Sequence, residues 1–274
     1  MLCRITICFF GITRSLSHTM ASIGRNVIAP AREQGEVTIY AHFFRQRVIT
    51  NARSAEQGEI APDDHRLLTP DWLELEEPDT IQQQHDFEHF KQYGDRWGDG
   101  FRSLRNLFHQ LHSLRNVTEA ALSAQPDIVI FVRPDLHYHD SLSPFIAKAI
   151  RAASRRESLA LIPNWQSKHV RLNDRFAICV GQDAAAAYGC RIDRVKAFCQ
   201  ARNMAPQPES LVKFVLDAGG IPVSLIGARA SRVRIDGQMV QEDFTPKRLK
   251  EIKEAFGNLL RLGRGSRPRS AGQS

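Results

Sequence analysis

The chain has 274 residues, 42% hydrophobic and 24% charged, a balance that excludes a disordered polymer and suits one large α/β domain or two small ones. Its formal charge of +7 favours anionic partners such as phosphate-bearing metabolites, nucleic acid or an anionic membrane surface. Five cysteines without a C-x-x-C pair read as buried reduced thiols in a cytosolic protein, and no apolar run reaches the roughly 18 residues that span a membrane.

The opening "MLCRITICFFGITRS" lacks an A-x-A-like cleavage site and fits a first strand better than a signal peptide. Ile5–Phe10 is continuously apolar, as a strand buried on both faces of a parallel sheet must be. Residues 17–28 read as a helix stopped by Pro30, and "EVTIYAHF" (36–43) as the second strand of a right-handed β-α-β crossover. Residues 44–97, rich in prolines and acids, resemble surface loop or insertion. Phe101, Leu104, Leu107, Phe108, Leu111, Leu114, Val117 and Ala121 recur at helical spacing and predict about six amphipathic turns. Ile128–Val132 is the next strand. A helix near 142–154, strands at 158–162 and 176–180, and helices near 190–202 and 208–218 follow. Strands at 221–227 and 231–237 and a charged helix over roughly 245–262 complete the reading, with "RLGRGSRPRSAGQS" as a disordered basic tail. That tail carries part of the positive charge, and no basic stripe interleaved with aromatics appears, which disfavours nucleic acid as the partner.

Ligands of open α/β sheets bind beyond the C-terminal ends of the strands. The turn after the first strand, Gly11-Ile12-Thr13-Arg14, offers a close backbone approach and a guanidinium for a phosphate; it reads equally as a tight turn with a solvated arginine. At the tip of "IVIFVRPDL", Arg133 and Asp135 suit a phosphate, a divalent cation or a sugar hydroxyl, or else form a strand-ending salt bridge. His137 and His139 form an H-x-H pair without an evident third ligand and read as surface histidines. Asn173-Asp174-Arg175 clusters an amide, a carboxylate and a guanidinium, which suits a hydroxyl-rich ligand and also plain turn chemistry. Glu209, beside Pro208 at a helix start, is a candidate cap or a candidate base.

Taken in order, "FFGITRSL", "NVIAP", "YAHFF", "RNLFHQLHSL", "DIVIFVRPDL", "NDRFAI", "AAAAYGCR", "PESLVKFVL" and "SRVRIDG" resemble a family of bacterial and plant glycosyltransferases of the capsule and lipopolysaccharide type, over most of residues 1–237. The resemblance implies a single GT-A-like (Rossmann-like) α/β domain over residues 1–262, with a mixed, mostly parallel central sheet flanked by helices, and a basic tail over 263–274. It implies an enzyme moving a sugar from a nucleotide-sugar donor to a glycan or lipid-linked acceptor; the cysteine usage adds a cytoplasmic location, and the basic tail a peripheral contact with the inner face of a membrane. Donor-binding residues would be Gly11, Thr13, Arg14, Arg133, Asp135, Asn173 and Arg175, with Asp174 or Glu209 as the base of an inverting reaction. Asp135 matches the last acid of a D-x-D motif that holds Mg or Mn. Arg133 stands where the first acid would be, which leaves metal dependence open. A non-catalytic nucleotide- or glycan-binding protein on the same scaffold is the alternative. Two geometric expectations follow: Arg14 and Asp135 should open on a common cleft, and Asp135, facing a wet cleft, should contribute little to stability.

Overall fold

A computed structural model describes residues 2–51, 56–78, 81–167 and 171–246. The charged helix expected near 245–262 falls almost wholly, and the basic tail wholly, outside the described residues.

The first strand, β1 (Arg4–Gly11), is followed by α1 (Leu16–Ile23), a π-helical turn (Gly24–Ile28) and α2 (Ala29–Arg32). Strands β2 (Glu36–Phe44), β3 (Val48–Asn51), β4 (Glu56–Glu59) and β5 (Trp72–Glu76) precede the short helices α3 (Ile81–Gln84) and α4 (Phe87–Lys91). The long helix α5 (Arg102–Ser123) leads into β6 (Ile128–Val132), β7 (Leu136–Tyr138), α6 (Ser143–Ser154), β8 (Leu159–Pro163) and β9 (Ala177–Val180). Helices α7 (Gln182–Gly189), α8 (Val195–Arg202) and α9 (Pro208–Ala218) and strands β10 (Val223–Ile226) and β11 (Ala230–Arg232) complete the order.

Seven strands form one sheet in the order β10-β8-β9-β6-β1-β2-β5. It is α/β, mixed and mostly parallel: β9 alone runs against its two neighbours. β6 lies at its centre, and β1 beside it runs between β6 and β2, with Ile5 opposite both Ile128 and Val37. Alternation along the strands feeds two cores. Ile5, Ile7, Phe9, Ile128, Ile130 and Val132 pack against residues of α1 and α6 such as Leu16, Ile23 and Ile146. Cys8, Phe10, Val129 and Phe131 face the other way, onto Leu107, Leu111, Leu114 and Val117 of α5 and onto Tyr188 and Leu211. All five cysteines are free thiols, and no helix among the described residues is long and apolar enough to cross a membrane.

Three sequence readings change. The first helix does not stop at Pro30. A proline clashes with the carbonyl four residues earlier, and here the π turn turns that carbonyl outward: Asn26 O accepts the Leu142 N–H at 2.8 Å, so the helix runs on to Arg32. The segment 44–97 is not simply loop. "WLELE" is the edge strand β5, parallel to β2, with Trp72 stacked on Tyr40 at 5.8 Å. The helix expected over 190–202 is a 3₁₀ turn (Arg191–Arg194) followed by α8, with α7 packed ahead of it.

Helix α7 meets α5 closely at Gly189, where a Cβ would stand 2.1 Å from Thr118 Oγ1 and 2.7 Å from Thr118 Cβ. Thr118 is itself fixed, its hydroxyl donating to Leu114 O at 2.6 Å. Gly189→Ala should therefore overpack this contact and cost about 1–3 kcal/mol. Equilibrium urea unfolding reads this directly, and an unchanged midpoint would contradict the packing.

Candidate functional site

A pocket of about 520 Å³ opens beyond the C-terminal ends of β1 and β6. Gly11, Arg14, Arg133, Asp135, Asp174, Arg175 and Glu209 all line it, so the turn after β1, the tip of β6, the segment before β9 and the start of α9 meet there. Thr13 and Asn173 stand behind the wall. Thr13 is buried, its carbonyl accepting the Leu16 N–H at 2.9 Å. Asn173 is buried, its Nδ2 donating to Trp165 O at 2.8 Å and its Oδ1 accepting the Arg175 N–H at 2.8 Å. The amide thus shapes the turn that presents Asp174 and Arg175.

Gly11 has φ +103°, a conformation that a side chain would strain, and its N–H donates to Ser113 Oγ of α5 at 2.7 Å. The turn then delivers Arg14 between two carboxylates. Its Nη2 donates to Asp135 Oδ2 at 2.5 Å and its Nη1 to Glu56 Oε2 at 3.2 Å. Arg133 grips the same Asp135 bidentately, Nε to Oδ1 at 3.0 Å and Nη2 to Oδ2 at 2.8 Å. Glu56, on β4, also accepts from Arg234 Nη1 at 3.1 Å and from the Ile235 N–H at 3.0 Å.

The expectation that Arg14 and Asp135 share a cleft is met by direct contact. The expectation of a wet, weakly held Asp135 is corrected: the residue is 4% exposed. Burial alone would raise its carboxyl, but the Arg133 and Arg14 guanidiniums override burial and hold it well below the usual carboxylate range. Three guanidinium hydrogen bonds engage its two oxygens, so the Mg or Mn ion of a D-x-D motif would have to share this carboxylate with two arginines.

Asp174 and Glu209 form the second polar group of the pocket. Asp174 is 6% exposed, and Glu209 is half-buried at the first turn of α9. Burial first, and the Asp174 charge second, push the Glu209 carboxyl up from its ordinary value. Burial pulls the Arg175 guanidinium down, with Arg133 and Arg232 adding to the fall and Asp174 opposing it.

Sequence reading missed several wall residues. Arg96 and Trp97 are carried by a loop that Asp95 organises, its carboxylate accepting from the N–H groups of Trp97, Gly98, Gly100 and Phe101 at 2.7–3.2 Å. Arg232 reaches the pocket from β11 and pairs with Glu242 at 2.8 Å. The alternating arginines of "SRVRIDG" were the available signal, since residues two apart on an extended segment share a face. Five arginines and three carboxylates line the pocket, and two of its lining residues hold buried donors without a hydrogen-bond partner among the described residues, Arg14 Nε and Gln110 Nε2.

The H-x-H pair lies elsewhere. His137 sits on β7, which pairs with β11 in a small separate sheet, and His139 follows directly after that strand, its Nε2 bonding Ser231 Oγ at 2.8 Å. A different group has metal-ligand spacing: the buried His42 and His112 with Glu76, which could hold a metal ion. Burial pulls the His42 imidazole down to about 4.

No family model matches the chain, and no curated protein matches it. Among solved structures, mouse xyloside xylosyltransferase 1 in its apo form aligns over 82% of this chain and 85% of that one, with 10% identity and a TM-score of 0.39. Likeness at that level identifies neither a family nor an activity.

Proposed function

We propose that the chain is a GT-A-like glycosyltransferase that moves a sugar, of the hexosyl class, from a nucleotide-sugar donor to a glycan or surface-polysaccharide acceptor. The observation that carries this reading is the arginine-rich pocket at the strand ends with the Asp174–Glu209 pair on its wall. Arg133 and Arg14, fixed by Asp135, and Arg175, bonded at 3.3 Å to the neutral Gln166, give a preorganised positive wall for a diphosphate. Trp97 and Ile12 offer apolar surface for a base or sugar face.

In the reaction, an acceptor hydroxyl attacks the anomeric carbon as the bond to the diphosphate breaks. The hydroxyl proton passes to a carboxylate, and the leaving diphosphate keeps the electron pair. Glu209 suits the base, because a raised carboxyl lies nearer the working pH; Asp174 is held beside it and stabilises the proton it takes up. No step passes through a metal at Asp135. The capsule or lipopolysaccharide setting and the lipid-linked acceptor belong to the same reading and rest on sequence resemblance, while membrane attachment through residues 263–274 rests on the basic composition of that tail.

The test is release of nucleoside diphosphate from a panel of sugar nucleotides, with and without chelator. Turnover supports transfer. Saturable binding without release on any acceptor would make the chain a nucleotide- or glycan-binding protein instead, and absence of both would remove the donor-site reading.

A further inference from the structure

Behind Gly11, and lining no part of the pocket, four polar side chains converge from β2, β5 and α5. Glu76 Oε2 lies 3.2 Å from His42 Nε2 and 2.8 Å from His112 Nε2. The Asn116 amide faces the same two nitrogens, at 3.1 Å and 3.0 Å. We propose that His42, Glu76 and His112 hold a transition-metal ion of the zinc type, with the Asn116 amide oxygen closing the fourth position.

Hydrogen-bond accounting leads there. Ser113 Oγ accepts the Gly11 N–H at 2.7 Å and gives its one proton to His42 O, also at 2.7 Å. His42 Nδ1, 3.0 Å from that oxygen, must then be the donor. His42 Nε2 then faces a Glu76 oxygen at 3.2 Å, in a place where the His42 side chain has no exposed surface. His42, Glu76 and His112 each turn one ligand atom into a space where all three lie within 4.8 Å of one another. A cation at their centre is held by all three, and turning the Asn116 amide by 180° supplies an oxygen in place of its nitrogen.

The dimensions agree. Tetrahedral zinc with bonds of about 2.0–2.2 Å spaces its ligand atoms about 3.3 Å apart. Four edges of this group run from 2.8 to 3.2 Å, close to that spacing. Each histidine also has the outer partner that a metal-bound imidazole needs: Ser113 Oγ on His42 Nδ1, and His85 Nε2 on His112 Nδ1 at 2.8 Å. His112 and Asn116 are four residues apart and so share one face of α5. Two imidazoles in the set select a zinc-like ion over magnesium. The same Ser113 that orients His42 holds Gly11, so the ion would brace the back of the donor turn.

The experiment is metal analysis of the untagged full chain after dialysis in metal-free buffer, then titration of the stripped protein with zinc alone and with cobalt(II) alone. The proposal expects about one equivalent bound, the intense visible bands of tetrahedral cobalt, a higher melting temperature with zinc, and at least tenfold weaker binding in both His42→Gln and Glu76→Gln. No saturable site, the weak spectrum of octahedral cobalt, or one equivalent retained by both folded variants would overturn it. If a variant fails to fold, the wild-type stoichiometry and cobalt spectrum decide alone. No sugar nucleotide enters these measurements, so their outcome is independent of the proposed transfer activity.

Discussion

Asp135→Asn should lower the free energy of unfolding by about 3–5 kcal/mol, the cost of leaving buried charge without its partner. The reason is the clamp: one carboxylate satisfies Arg133 twice and Arg14 once, at 2.5–3.0 Å, with the acid 4% exposed. Asparagine keeps the shape, but its NH₂ turns a donor toward guanidinium donors. For a chain of this size that is a fall in melting temperature of about 6–20 °C. The sign with pH follows from the depressed folded pKa. The contribution is fully present above the ordinary aspartate value of about 3.9 and is lost only as pH falls below it. A melting temperature within a degree of wild type at pH 7 would show that the clamp holds nothing. Donor binding should weaken too, since both arginines lose their fixed positions. Stability and binding therefore fall together for this residue.

They should separate at Glu209. Glu209→Gln is expected to cut turnover by about 10²- to 10⁴-fold, the usual contribution of a positioned base. Its effect on folding should be neutral or slightly favourable at pH 7. A carboxyl whose folded pKa is raised binds its proton more tightly in the folded state, so stability is lost as pH rises from about 4.3 through the folded value. Glutamine removes that burden, along with the repulsion from Asp174. Nucleoside diphosphate release and melting temperature, measured on one preparation, check both halves. Lost stability with intact turnover would return Glu209 to a helix-capping role.

How far these residues could be read in advance depended on how local their signals were. The strands β1 and β6 and the helix α5 are written in continuous or periodic apolar runs, and the polar turns after the two strands point to the pocket without further help. Edge strand β5 is another matter: "WLELE" has the acids of a loop, and only pairing with β2 makes it a strand. Asp135 illustrates a different limit. Its position at a strand tip was legible, but its burial depends on Arg14, which lies 121 residues away in sequence. The His42–Glu76–His112 group was hidden for the same reason, being assembled from three segments that carry one member each.

The placement of β9 bears on how the chain is made. β6 sits in the middle of the sheet, yet the strand that covers one of its edges, β9, is not synthesised until residue 180. On the ribosome β1, β2, β5 and β6 can assemble in parallel while the apolar edge "IVIFV" stays unpaired through nearly fifty further residues. At about 5–20 residues per second that interval lasts several seconds, long compared with local collapse. An open, uncharged strand edge is a template for pairing between chains. Nascent chains stalled between α6 and β9 would thus be the ones that depend most on a chaperone, and a C-terminal truncation before β9 should aggregate rather than yield a smaller folded protein.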